Sequence, residues 1–102
     1  MRVISKKKIR DFCSEHARAE LALVEWYYKM RSCSAKSFHE LKKIFNAVDL
    51  VGKYSVFDIA GNHYRLIAAI HYSSQSCYVR HIWNHAEYSK KNNQEKLNKG
   101  EI

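Results

Sequence analysis

The sequence predicts an α+β domain in which two to three N-terminal helices pack on a three- to four-stranded antiparallel sheet. Three observations carry this. Up to about Asp49 the apolar residues recur at the i, i+3, i+4, i+7 spacing of helices with one buried face. Beyond it come three runs rich in β-branched and aromatic residues, separated by short segments of turn chemistry. With 102 residues, 46% of them hydrophobic, the chain can fill one modest core. A second core would need roughly another hundred residues.

Met1 to Ile4 reads as a short strand, and Ser5 as the N-cap of a basic helix over "KKKIRDFCSEH" with Ile9, Phe12 and Cys13 inward. From Ala17 to Met30 a second helix carries two apolar stripes. One is Ala17, Leu21, Val24 and Tyr28; the other, beside it, is Leu23, Tyr27 and Met30. This is more apolar face than one sheet needs. Ser37 caps a third helix, "FHELKKIF", in which Phe38, Leu41 and Phe45 share a side.

The strands are "KYSVFDI", "NHYRLIAAIHY" and "SCYVRHIW", consecutive and antiparallel, turned by "AGN" and "SSQS". Alternation sends Phe57, Ile59, Tyr64, Leu66, Ala68, Ile70 and Val79 to the helices. His63 and Arg65 then point the other way, as do Tyr78, Arg80 and Ile82. Arg65 and Arg80 are thus expected to share a helix-free side of the sheet. Proline is absent and glycine occurs three times, which leaves no linker; residues 1–91 read as one domain and residues 92–102, "NNQEKLNKGEI", as a polar frayed tail.

Eighteen Lys and Arg against ten Asp and Glu give a formal charge of +8, which favours a polyanionic partner, nucleic acid first. Local bias says more. Between Tyr54 and Lys91 the only acids are Asp58 and Glu87, while Arg65, Arg80, Lys90, Lys91 and four of the six histidines lie there. Cys13, Cys33 and Cys77 form no CxxC pair, so they read as reduced structural cysteines rather than a disulfide framework or thiolate metal site. "MRVISKKKIR" lacks the apolar stretch of a signal peptide, and no segment approaches the ~18 apolar residues of a membrane span. A cytoplasmic protein without a membrane partner is expected.

Cleavage of RNA by its own 2′-hydroxyl needs a base for that proton, an acid for the leaving 5′-oxygen, and positive charge at the phosphate. Histidine suits the first two and arginine the third. A two-metal nuclease would need clustered carboxylates, which this half of the chain lacks. Any RNA cleavage is therefore expected to proceed without metal or cofactor.

Five segments, "MRVISKK", "EWYYKM", "KSFHELKKIFNAVDLVG", "VFDIAGNHYRLIAAIHY" and "VRHIWNHAEYSK", resemble the HigB toxins of bacterial toxin–antitoxin systems, in the RelE/ParE superfamily. The resemblance runs from residue 1 to about 91. It implies a RelE/ParE-like fold, cleavage of messenger RNA on translating ribosomes, and neutralisation by a cognate HigA-type helix-turn-helix antitoxin. Carried over by residue, Arg65 of "YRL" matches a phosphate-contacting arginine and His85 matches a basic catalytic residue just past the last strand. Tyr88 matches a C-terminal tyrosine, at a shorter spacing than in RelE-type toxins, with proton transfer or base stacking both open. RelE-type toxins carry lysines on the strand before "YRL", whereas "SVFDI" has none, so Lys53 is the substitute candidate. Arg80, His63, Lys90 and Lys91 complete the expected RNA-binding set. Leu23, Tyr27 and Met30 are the candidate antitoxin-binding stripe, with core packing as the alternative.

Plainer readings stand beside these. His63, His71 and His81 read as strand-surface or core histidines, Arg65 as the partner of Asp58 across two strands, Tyr88 as packing at the sheet edge, and Lys6 to Lys8 as a solvated helix start. A non-catalytic RNA-binding module and a ParE-like gyrase-inhibiting toxin on the same fold are the alternative functions.

Overall fold

A computed structural model describes residues 1–102. In chain order the elements are β1 (Arg2–Ile4), α1 (Lys6–Glu15), a single 3-10 turn (Ala17–Ala19), α2 (Glu20–Arg31), α3 (Phe38–Ile44), β2 (Val48–Val51), β3 (Tyr54–Ile59), β4 (Tyr64–His71), β5 (Ser76–Asn84), α4 (His85–Tyr88) and α5 (Lys91–Lys99). Ser37 caps α3 as expected, its hydroxyl accepting from the Glu40 amide at 3.2 Å. Ser5 occupies the N-cap position of α1 without a side-chain bond.

The sheet has five strands in the order β1-β5-β4-β3-β2, and it is mixed, because β1 runs parallel to β5. Both points correct the expected three- to four-stranded antiparallel sheet. The extra strand, β2, pairs with β3 through a tight hairpin at Gly52 and Lys53. Gly52 makes that hairpin possible with φ +60, where a side chain would also meet the Leu97 carbonyl oxygen at 2.9 Å. Parallel pairing of β1 follows from its place before the helical layer, which supplies the crossover such pairing needs.

α1, α2 and α3 cover one face of the sheet. Leu23, Trp26, Met30 and Leu41 meet Phe57, Leu66, Ala68, Cys77 and Val79 there, and Trp26 and Phe45 pack edge-on against the Phe57 ring. The two stripes of α2 are thereby told apart. Leu23 and Met30 are fully buried and cannot offer a surface to an antitoxin, which corrects that expectation; Tyr27 is half-buried. Leu21 and Tyr28, at 72% and 61% exposed, face solvent with Val24. A strip of one helix can meet only one layer, and α2 turns its Leu23 side toward the sheet.

The β4–β5 ladder departs from plain alternation. A β-bulge falls between Ile67 and Ala68, so that Ala68 pairs with Val79 but Ile67 pairs with His81, leaving Arg80 as the extra residue. From Arg80 onward the faces of β5 are exchanged. Ile82, expected opposite Val79, packs into the helix-side core, while Trp83 joins the apolar residues of the other face. Arg80 itself is exposed, and its carbonyl accepts from Lys8 Nζ on α1 at 3.1 Å. It does not share the Arg65 face of the sheet.

That other face is not free of helices. Tyr54, Val56 and Ile67 form a second apolar cluster, closed by the fully buried Leu97 of α5 with Val51, Ala69, Trp83, Tyr88 and Ile102 packed around it. The expected frayed tail is therefore a docked helix. Gly100, with φ +73, ends it as a left-handed C-cap, and the Tyr54 hydroxyl donates to the Ile102 carbonyl at 2.7 Å. Polar composition hid this because a single leucine in the whole nine-residue helix suffices when the sheet supplies the rest of the apolar surface.

Two outcomes follow from this packing. Leu97→Ala should lower unfolding stability by about 2–4 kcal/mol in a urea titration, the range for emptying a fully buried leucine site; an unchanged midpoint would mean that α5 does not dock. Burial pushes the Cys77 thiol up to about 12 and raises that of Cys13, with Glu20 adding to the latter. At pH 8 iodoacetamide should therefore leave Cys77 unmodified in the folded protein and label it once urea unfolds the chain, as read by peptide mass; prompt labelling without denaturant would contradict the buried position.

Candidate active site

Cross-strand pairing sets the first half of the site. Asp58 on β3 lies opposite Arg65 on β4, and Arg65 Nε meets Asp58 Oδ1 at 3.0 Å. Arg65 Nη1 donates to the Tyr64 carbonyl at 3.2 Å and Nη2 to Asn62 Oδ1 at 3.4 Å. The Tyr88 ring lies 5.4 Å from the guanidinium carbon, within cation–π range. With its side chain 12% exposed, the arginine is held from several sides, and two of its five N–H groups have no protein partner. The Asp58 pairing expected as the plain reading is thus present. It fixes the guanidinium rather than consuming it.

The second half is α4, a single turn that starts where β5 stops. Asn84 caps it, its Oδ1 accepting from the Glu87 amide at 2.8 Å. The His85 amide donates to the His63 carbonyl at 3.0 Å, tying the turn to the residue just before β4. His85 and Tyr88, three positions apart, therefore project from one side of the turn, His85 exposed and Tyr88 half-buried over Arg65.

α5 holds this turn from behind. Asn93 Nδ2 donates to the Glu87 carbonyl at 2.8 Å, and Gln94 Nε2 donates to the Tyr88 carbonyl. Lys90 Nζ pairs with Glu87 Oε2 at 2.8 Å. The Lys90 and Asn93 bonds hold the Glu87 carboxyl below the usual carboxylate range.

Arg65 and Tyr88 are thus in contact, His85 stands on the same turn as Tyr88, and His63, Lys90 and Lys91 adjoin them in the chain. Two expected members lie elsewhere. Lys53 sits in the hairpin before β3, five residues from Asp58, or about 16 Å along a strand; its Nζ lies over the Tyr54 ring at 5.6 Å. Arg80 stands at the bulge beside α1, lining a cleft with Lys8, Asp11, Phe12 and Glu15.

Other residues went unnoticed in the sequence. The Asn-x-x-Glu of "NHAE" is a readable cap signal for α4. Trp83, directly opposite Arg65 on β5, was hidden because plain alternation sends it toward the helices; His81, read as a strand-surface or core histidine, is exposed and stacks on it with ring centroids 4.8 Å apart and planes 18° apart. Asn93 and Gln94 carry no sequence signal at all.

A family model for the HigB toxin, described as the RelE-like toxic component of a toxin–antitoxin system, matches residues 19–91. Among curated proteins, the chain is 29% identical over 91 residues to the mRNA interferase toxin HigB of Escherichia coli strain K12, covering 86% of this chain and 88% of that protein. It is 31% identical over 93 residues to the mRNA interferase HigB of Escherichia coli O6:H1, covering 88% and 90%. The mRNA interferase HigB of Shigella flexneri is 29% identical over 91 residues, with 86% and 88% covered. Strands β2 to β5 and the α4 turn, which carry Arg65, His85 and Tyr88, all fall inside the family match, and the chain belongs to the HigB toxin family of RelE-like toxins.

Proposed function

We propose that this protein is the toxin of a type II toxin–antitoxin module, an endoribonuclease that cuts messenger RNA on translating ribosomes by attack of the 2′-hydroxyl on the neighbouring phosphate, without a metal. The relatives' name, mRNA interferase, supports the substrate. The observation that carries the chemistry is the juxtaposition of a restrained Arg65 with the turn that presents His85.

Arg65 binds the scissile phosphate and stabilises the charge that gathers on it in the transition state. Because Asp58, Asn62 and Tyr88 already fix the guanidinium, little rearrangement is left to the reaction step. His85, exposed at the first position of α4, exchanges the proton of the attacking hydroxyl or of the leaving 5′-oxygen. Tyr88 holds Arg65 through its ring face. The two carboxylates of the site are both engaged, Asp58 by Arg65 and Glu87 by Lys90, so metal ligation would break the arrangement that positions the phosphate-binding group. A cognate HigA-type antitoxin holds the toxin inactive in this reading. The buried Leu23 and Met30 are no part of its docking surface.

Purified protein incubated with a messenger RNA, free or programmed on ribosomes, should cut the ribosome-bound message and leave a 5′-hydroxyl end, with activity unchanged by EDTA provided magnesium-independent ribosome crosslinking keeps the complex intact. His85→Ala should abolish detectable cutting while the thermal midpoint stays within a degree or two. Arg65→Lys should reduce the rate by about 100-fold, the scale of losing one oriented donor to a developing anion. Intact messages in both tubes, from folded protein that still arrests growth, would remove the nuclease reading and favour gyrase inhibition.

A further inference from the structure

We propose that the His81–Trp83 stack on β5 is a binding site for one unpaired nucleobase of single-stranded RNA, next to the phosphate held by Arg65. This rests on the ribonuclease reading and adds to it a base-binding subsite.

The bulge at Arg80 creates the arrangement. Trp83 pairs directly with Arg65 across β4 and β5, so its ring and the guanidinium lie on the same face as cross-strand neighbours. One side of Trp83 rests on the second apolar cluster, which holds the indole in place. The His81 ring lies on it nearly parallel, at 4.8 Å and 18°, and His81 is itself exposed. The outer face of the imidazole is therefore a ready continuation of the stack. A nucleobase fits that position because each base presents a flat π-face, and such stacking tolerates any base identity.

Charge is suited to the same ligand. Burial, then Lys8 and Arg80, press the His81 pKa below its ordinary value, which favours the uncharged ring for stacking. Arg65 lies across the ladder from Trp83, and Lys8 and Arg80 line a cleft with His81, so cations adjoin both rings of the stack. Asp11 and Glu15 on α1 line the same cleft and offset part of that charge. Bases without phosphates would gain the stack alone; a phosphate without a base would gain only the cations.

Tryptophan fluorescence reads the site directly, since Trp26 is 4% exposed in the core and Trp83 is the only other tryptophan. The probe is a 2′-O-methylated hexanucleotide, which lacks the attacking hydroxyl and stays intact, compared with the same backbone carrying abasic positions. Saturable quenching is expected with the first and not the second. His81→Ala, at an exposed position, should weaken binding about fivefold or more, and Trp83→Leu, which removes the reporting indole and is therefore read by the anisotropy of a fluorescein-labelled hexanucleotide, about tenfold or more, on the scale of one lost stacking partner. Circular dichroism should show both variants folded. Equal quenching by the abasic chain, or affinities unchanged in both variants, would overturn the subsite. Cutting of ribosome-bound message is measured in parallel, which separates the two ideas: cutting without base-dependent quenching leaves the ribonuclease and removes the stack, whereas base-dependent quenching without cutting keeps the stack and removes the ribonuclease.

Discussion

One extra residue in one strand governs what this surface can do. Were the β4–β5 ladder regular, Val79, His81 and Trp83 would all face the helices and Arg80 would stand beside Arg65. The bulge instead keeps Val79 in the core, sends Ile82 there as well, and turns His81 and Trp83 out beside the arginine. It replaces a second cation with two stacked rings. The freed carbonyl of the bulge is satisfied by Lys8 from α1, so the irregularity is tied to the helical layer and not left as an orphaned polar group.

The same face also needs α5. A sheet with Tyr54, Val56 and Ile67 on its outer side would show water a continuous apolar surface, and Leu97 with its neighbours closes it. Docked there, the helix places Asn93 and Gln94 against the carbonyls of Glu87 and Tyr88. A turn of four residues cannot hold itself; it is short of the ~12 residues at which isolated helices become even marginal. Its shape comes from the Asn84 cap in front, the His63 carbonyl beneath and α5 behind. The segment of the chain with the plainest composition thus supports the residues with the most chemistry.

These facts explain what was legible in the sequence. Periodicity reported α1, α3, the three long strands, the turns and the Asp58–Arg65 pair, because each depends on residues near in sequence or on register set by short hairpins. The family resemblance supplied Arg65, His85 and Tyr88 as a group, and the fold brings the ring of Tyr88 to the guanidinium of Arg65. What stayed hidden depends on non-local choices. Nothing local says which stripe of α2 meets the sheet, since Val24 and Leu23 are both apolar and only the layer's position decides. Nothing in "SCYVRHIW" marks Arg80 as the bulged residue, and one such shift exchanged every later face. α5 was read as loose because its own sequence offers few apolar residues, although the missing ones lie on β3 and β4.

Net charge and local geometry play separate parts. The +8 of the chain is spread over both layers, and at physiological ionic strength each charge is felt only over about 8 Å, so it favours approach of a polyanion without choosing a phosphate. At the site itself the arginine is matched by Asp58, which lowers the local potential while fixing the direction of the guanidinium. A bare arginine would attract more strongly and point less reliably. For a reaction whose demand is donors placed where charge develops, direction is worth more than potential, because attraction to the ground-state phosphate does not by itself speed the chemical step. In the proposed ribonuclease, attraction is thus left to the scattered lysines, while Arg65 is braced by a carboxylate, an amide oxygen and an aromatic ring.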